Sequence, residues 1–120
     1  MSPVAAHEFS RIPLLSSLSG EVLGELAKRM ERKAVVPGQL LVEQGDSAER
    51  FYVVLSGLLE VTQTGRGSIN LLKPGDYFGE VALAMHMPRT ASVRVVTPAT
   101  IASCDRATFD EFVRPLFAED

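Results

Sequence analysis

The sequence predicts a mainly β domain, an antiparallel β-roll similar to a jelly roll, flanked by N- and C-terminal helices. The sequence has 120 residues, of which 46% are hydrophobic and 22% charged. This composition is sufficient for one hydrophobic core, and the length leaves no room for a second domain. From about residue 34 to residue 104, β-rich runs alternate with Gly- and Pro-bearing turns, roughly every 7 to 12 residues. No long helical pattern separates these runs, which favours an antiparallel roll over a parallel sheet. We therefore expect residues 1–120 to form a single domain.

The N-terminal part, about residues 7–32, is predicted to be helical. Pro3 and Pro13 interrupt a short apolar pattern that indicates one or two helical turns. Ser19 then stands as an N-cap before an amphipathic helix that we expect to end near Arg32. The apolar residues that recur at helical spacing are Val22, Leu23, Leu26, Ala27 and Met30.

The β-roll is predicted over about residues 34–104. The candidate strands are Leu40–Glu43, Phe51–Leu55, Leu58–Gln63, Ile69–Leu72, Ser92–Val96 and Ile101–Cys104. We interpret Gly45, Gly57 and Gly75 as turn glycines with positive φ. The segment 77–90 interrupts the strands with a short helix that Pro88 ends. Something other than a hairpin turn is expected there.

A C-terminal helix is predicted over about residues 108–117. Thr108 and Glu111, three residues apart, have the spacing of a capping box. The helix carries apolar Phe109 and Val113, and Pro115 is expected to kink or end it.

The segment between the strands carries a candidate anion site. Gly79, directly before the short helix, permits a backbone conformation in which amide groups point outward together with the helix N-terminus. Arg89 adds a planar, permanently charged fork that suits two phosphate oxygens. Glu80 would repel an anion, so we expect it to face a hydroxyl group such as that of a ribose. Together these residues indicate a sugar phosphate, whereas an ion pair between Glu80 and Arg89 without ligand is the simpler alternative.

Two stretches, Phe78–Leu83 and Pro88–Val93, resemble the phosphate-binding cassette of the cyclic nucleotide-binding domain family. This family includes the catabolite activator protein, the regulatory subunits of cyclic AMP-dependent protein kinase and the cyclic nucleotide-gated channels. The similarity extends upstream through Gln44–Asp46, Phe51–Val54 and Leu72–Asp76. The resemblance implies a domain that binds cyclic AMP or cyclic GMP as a reversible ligand, without a cofactor and without catalytic residues.

The resemblance also implies a role for each site residue. The arginine matching Arg89 pairs with the cyclic phosphate, and the glutamate matching Glu80 accepts a hydrogen bond from the ribose 2′-hydroxyl. Thr90 stands where some members of the family contact a guanine base or the phosphate. Family domains normally end with a helix that closes over the base, and we expect this lid helix to be absent from residues 1–120. The ligand-binding residues expected on this basis are Gly79, Glu80, Val81, Ala82, Arg89, Thr90 and Ala91.

Composition limits the remaining function classes. A net charge of −3 argues against direct nucleic-acid binding. One cysteine, Cys104, leaves no internal disulfide and indicates a reducing compartment. No targeting signal or apolar run long enough to span a bilayer is present. We expect a cytoplasmic domain, either free or as the cytoplasmic part of a membrane protein, that acts on an attached or partner effector domain.

Two alternatives stay open. A degenerate roll that has lost nucleotide binding would act as a protein-interaction module. A cupin-like metalloenzyme is also a small β-roll, but its metal requires several histidines, and this chain has two. His86 stands between two methionines without further ligands at a suitable spacing, so no metal site is predicted.

Overall fold

The computed structural model describes residues 2–3 and 6–117, and within them nine strands form two antiparallel sheets. The strands are β1 (Ser2–Pro3), β2 (Glu31–Val35), β3 (Leu40–Val42), β4 (Arg50–Ser56), β5 (Leu59–Gln63), β6 (Gly67–Leu72), β7 (Tyr77–Phe78), β8 (Ser92–Val95) and β9 (Ala99–Asp105). One sheet has the order β1-β2-β9-β4-β7 and the other the order β3-β8-β5-β6. The predicted antiparallel β-roll with flanking helices is confirmed.

The strand β4 separates two hydrophobic clusters. Because successive side chains of a strand point to opposite faces, Phe51 and Val53 pack on the helical side. Val54 packs on the other side, among residues of both sheets. All three side chains are fully buried. The strand β4 thus contributes side chains to both clusters, one beneath the helices and one between the two sheets.

The N-terminal part forms two 3₁₀ turns, Ala6–Arg11 and Pro13–Leu15, followed by helix α1 (Gly20–Arg29). Ser19 is the N-cap as predicted, and its hydroxyl accepts a hydrogen bond from the Val22 N–H at 3.2 Å. The predicted end near Arg32 is wrong. Met30 is already extended and β2 follows at once, because pairing of residues 31–35 with β9 overrides the helix propensity of Glu, Arg, Lys and Ala.

The C-terminal segment begins earlier than predicted. It consists of an α-helical turn Arg106–Thr108, a π-helical stretch Phe109–Val113 and a 3₁₀ turn Arg114–Phe117. The capping box at Thr108 is wrong, since Asp105 is the N-cap and its carboxylate accepts from the Thr108 N–H at 2.9 Å. Hydrogen bonds from Thr108 lower the pKa of Asp105. Pro115 lies inside the tightened last turn, and the backbone described by the structure continues to residue 117.

Several strand predictions need smaller corrections. The strands β6 and β9 begin two residues earlier than predicted, and β1, β2 and β7 were not among the predicted strands. The glycine predictions are confirmed, with φ of 93° at Gly45, 85° at Gly57 and 98° at Gly75. At Gly57 a Cβ would lie 2.4 Å from the Cβ of Ala99, so a side chain is excluded there. None of the helices in the described residues has the length and apolarity that crossing a membrane requires.

Candidate functional site

In the segment 77–90, which separates two strands of the roll, Gly79 has a backbone conformation that only glycine adopts readily. It precedes the short helix α2 (Glu80–Met85) and has φ of 96°, in the left-handed region that favours glycine. A Cβ at this position would lie 2.8 Å from Nη1 of Arg89 and 2.9 Å from the carbonyl oxygen of Arg50. Glycine is therefore required both by the backbone conformation and by the close approach of Arg89.

Arg89 is held in place from several directions. Its side chain donates to the carbonyl oxygen of Arg50 at 2.7 Å and to that of Gly79 at 3.2 Å. Its backbone N–H donates to the Asp46 carbonyl at 2.8 Å, and its own carbonyl accepts from the Gly45 N–H at 2.9 Å. Only 6% of the residue is exposed. The guanidinium is thus fixed before any ligand arrives.

The surroundings of Arg89 favour an anion as a further partner. Burial lowers the pKa of Arg89, but a guanidinium stays protonated at neutral pH. Its carbon lies 5.9 Å from the centroid of the Tyr52 ring, and Tyr52 stacks on Phe78 at 4.6 Å. The guanidinium also carries more N–H donors than its two carbonyl bonds use. A buried cation with spare donors is stabilised by an oxyanion.

Glu80 is the half-buried first residue of α2. Burial raises its pKa, while the N–H groups of Glu80 and Val81 and the charge of Arg89 act in the opposite direction. No ion pair joins Glu80 to Arg89 among the side chains that the structure describes. The carboxylate therefore keeps acceptor capacity that a direct ion pair with the arginine does not use.

The predicted site residues line one cavity of about 150 Å³, which we call the cassette cavity. The structure brings together all seven, which are Gly79, Glu80, Val81, Ala82, Arg89, Thr90 and Ala91. Four apolar residues complete the wall, namely Val42, Val61, Phe78 and Val93. These four residues were not predicted as site residues, although the alternation of Leu59 and Val61 along β5 indicates that both side chains face inward.

Backbone amides add free donors to the cassette cavity. The first amide of α2 that donates to a carbonyl is that of Leu83, to Gly79 at 3.4 Å. Across residues 6–117, no acceptor is assigned to the amides of Ala82, Thr90 or Ala91. Amides at a helix start and in an adjoining loop are typical donors to phosphate oxygens.

A larger groove also borders Arg89. It has a volume of about 360 Å³ and is lined by Leu40–Glu43 and by residues of the segment 46–52. This lining contains three carboxylates and the two guanidinium groups of Arg50 and Arg89, so its net charge is negative and disfavours an anion. The carboxylates are those of Glu43, Asp46 and Glu49. The cassette cavity is therefore the better candidate for a phosphate, in spite of its smaller size.

Two arginines of the C-terminal segment close the other end of α2. Arg106 donates to the carbonyl of Leu83 at 3.0 Å and to that of Ala48 at 3.1 Å. Arg114 donates to the carbonyl of Ala84 at 3.3 Å. Cations near the last carbonyls of a helix are stabilising. Neither arginine was predicted to contact α2, because two strands separate them from this helix in the sequence and no local pattern marks such contacts.

The family model described as "Cyclic nucleotide-binding domain" matches residues 32–115, which include the whole cassette. The chain belongs to the cyclic nucleotide-binding domain family. It is 37% identical over 105 residues to a cAMP-dependent protein kinase regulatory subunit of Eremothecium gossypii, in an alignment that covers 88% of this chain and 23% of the relative. The chain thus spans about a quarter of the length of this curated relative.

Solved structures share the fold of this cyclic nucleotide-binding domain. The regulatory domain of Toxoplasma gondii PKA with cAMP superimposes with a TM-score of 0.87 at 24% identity, covering 92% of this chain and 44% of the other. The regulatory subunit of a cAMP-independent protein kinase A from Trypanosoma cruzi, bound to guanosine, gives a TM-score of 0.86 at 22% identity, covering 92% and 41%. The predicted family and β-roll are confirmed.

Proposed function

We propose that the cassette cavity binds the ribose and cyclic phosphate of a cyclic nucleotide. The observation that carries this proposal is the guanidinium of Arg89, which is buried, held by two carbonyls and left with spare donors beside the cavity. The free amides of Ala82, Thr90 and Ala91 surround the same space. A buried fork with convergent amides is suited to a phosphate that bears one negative charge.

Glu80 supplies specificity for the sugar. Its carboxylate lines the same cavity as Arg89 without an ion pair to it. An ionised carboxylate accepts hydrogen bonds and cannot donate them. The ribose 2′-hydroxyl is the donor nearest to a cyclic phosphate, so Glu80 distinguishes ribose from 2′-deoxyribose.

The base lies largely outside the cassette cavity. Pockets that enclose a whole ligand measure about 300–1,000 Å³, whereas this cavity measures about 150 Å³. Its remaining walls are apolar, apart from the exposed Thr90. Cyclic AMP is the first ligand to test, and the Thr90 hydroxyl offers a contact to a guanine base that would favour cyclic GMP.

We further propose a regulatory role without catalysis by this domain. Ligand binding would shift a conformational equilibrium and thereby act on an attached or partner effector domain. The contacts of Arg106 and Arg114 with the last carbonyls of α2 join the cassette to the C-terminal segment, which is a physical path for such coupling. We propose a cytoplasmic setting for this role.

Isothermal calorimetry tests the proposed function directly. The purified domain is titrated with cyclic AMP, cyclic GMP, 5′-AMP and guanosine. We expect the cyclic nucleotides to bind more tightly than the linear monophosphate and the nucleoside. Equal affinity for guanosine would support a nucleoside site instead, and no binding of any of the four ligands would support a protein-interaction module.

A further inference from the structure

The hairpin formed by β5 and β6 contacts the cassette through a hydrogen bond from Gln63 to the Thr90 carbonyl. We propose that Gln63, at the end of β5, is a positioning residue that holds the Thr90–Ala91 backbone in the conformation that binds phosphate. This inference rests on the proposed function and assigns to the hairpin a part in the same site.

The Gln63 side-chain amide bridges the Thr90 carbonyl and the Arg66 guanidinium. Its Nε2 donates to the Thr90 carbonyl at 3.0 Å, and its Oε1 accepts from Nη1 of Arg66 at 3.0 Å. An arginine only donates and a carbonyl only accepts, so the bridge requires both an acceptor and a donor. Arg66 therefore fixes which end of the amide faces Thr90. An ionised glutamate at this position would keep the contact with Arg66 and lose the one with Thr90.

Gln44 forms a second set of hydrogen bonds that holds the same segment. Its Oε1 accepts from the Thr64 N–H at 2.9 Å, and its own N–H donates to the Ser92 hydroxyl at 2.9 Å. The neighbouring Gly45 N–H donates to the Arg89 carbonyl at 2.9 Å. The segment 89–92 is thus held at Arg89 and Ser92 by the turn around Gln44, and at Thr90 by Gln63.

Thr90 is the part of this segment that most depends on Gln63. It lies before β8 in a loop without regular structure, and its side chain is exposed. The adjacent amides of Thr90 and Ala91 have no assigned acceptor within the described part of the chain. Without the Gln63 contact these amides would sample several orientations, and phosphate binding would have to order them again. The expected effect falls on ligands that carry a phosphate.

The test compares Gln63→Met and Gln63→Glu with a matched control, Gln39→Met. Gln39 also bonds the backbone through its amide, accepting from the Val36 N–H at 3.3 Å, but in the turn between β2 and β3. Each protein is titrated with cyclic AMP and with adenosine. We expect both Gln63 variants to raise the Kd for cyclic AMP about three- to tenfold and the Kd for adenosine less than twofold. Gln39→Met should change neither.

A measurement without ligand guards against misfolding of a variant. ¹⁵N relaxation should show lower order parameters at Thr90 and Ala91 in Gln63→Met than in the wild type. Equal losses for cyclic AMP and adenosine, or unchanged affinity together with unchanged order parameters, would overturn the positioning role alone. A wild-type domain that binds no cyclic nucleotide would overturn the proposed function, and the role of Gln63 would fall with it.

Discussion

Replacing Arg89 by alanine should weaken both the fold and the binding of cyclic nucleotide. The substitution removes the side-chain donor of the Arg50 carbonyl and leaves the Gly79 carbonyl with only the 3.4 Å bond from the Leu83 N–H. Only 6% of the arginine is exposed at this site. A buried carbonyl that loses its partner costs about 1–3 kcal/mol. For a domain of this size, the melting temperature of the unliganded protein should fall by about 5–15 °C.

The loss of binding is expected to be larger than the loss of stability. Removing the guanidinium takes a charge-assisted, bidentate contact from a partly desolvated phosphate, which is worth about 2–4 kcal/mol. The Kd for cyclic AMP should therefore rise about 30- to 1,000-fold. Arg89→Lys is the control, because it keeps the positive charge but not the planar fork, and it should give an intermediate loss of affinity.

Calorimetry and thermal denaturation of the same preparations separate the two effects. Both are measured at a temperature at which circular dichroism shows the variant to be folded. A folded Arg89→Ala variant that binds cyclic AMP with wild-type affinity would refute the assignment of Arg89 to the phosphate. An unchanged melting temperature would refute its bonds to the two carbonyls.

Three further substitutions test other parts of the site. Glu80→Gln should lower the affinity for cyclic AMP about three- to tenfold and that for 2′-deoxy cyclic AMP far less, so equal losses would contradict the sugar contact. Because burial raises the pKa of Glu80 and the ionised form accepts the hydroxyl, affinity should be constant above that pKa and fall as the pH drops through it. Calorimetry across pH should show this fall in the wild type and not in Glu80→Gln. The same variant should melt slightly higher without ligand, since a raised carboxyl pKa means that the ionised group destabilises the fold above it. Gly79→Ala should displace Arg89 and reduce affinity at least tenfold, and a crystal structure with Arg89 unmoved would rule this out. Thr90→Ala should weaken cyclic GMP more than cyclic AMP in competition titrations, and the opposite order would reject a guanine contact.

The sequence predicts much of this fold because its signals are local. Gly45, Gly57 and Gly75 mark turns that require positive φ, and Ser19 marks a helix start through a contact three residues away. The end of α1 was missed because the pairing of Glu31–Val35 with β9, far along the chain, decides it. Asp105 is a residue type typical of an N-cap, but the Thr108–Glu111 spacing led to a capping box being predicted three residues later.

The candidate site also contains residues that local sequence predicts and residues that only distant contacts bring to it. Its seven predicted residues lie within thirteen consecutive positions, so one segment of sequence contains them all. The groups that position this segment come from elsewhere, through contacts that sequence spacing does not show. Gln63, Arg106 and Arg114 are examples. The sequence also indicated an arginine that serves the ligand, whereas in the structure Arg89 holds two backbone carbonyls as well.

A crystal structure of the domain with cyclic AMP tests the central claim most directly. We predict phosphate oxygens within hydrogen-bonding distance of the Arg89 guanidinium and of the Ala91 amide, with the 2′-hydroxyl donating to Glu80. A nucleotide in the groove beside Glu43, Asp46 and Glu49, or one whose phosphate has no contact with Arg89, would contradict it.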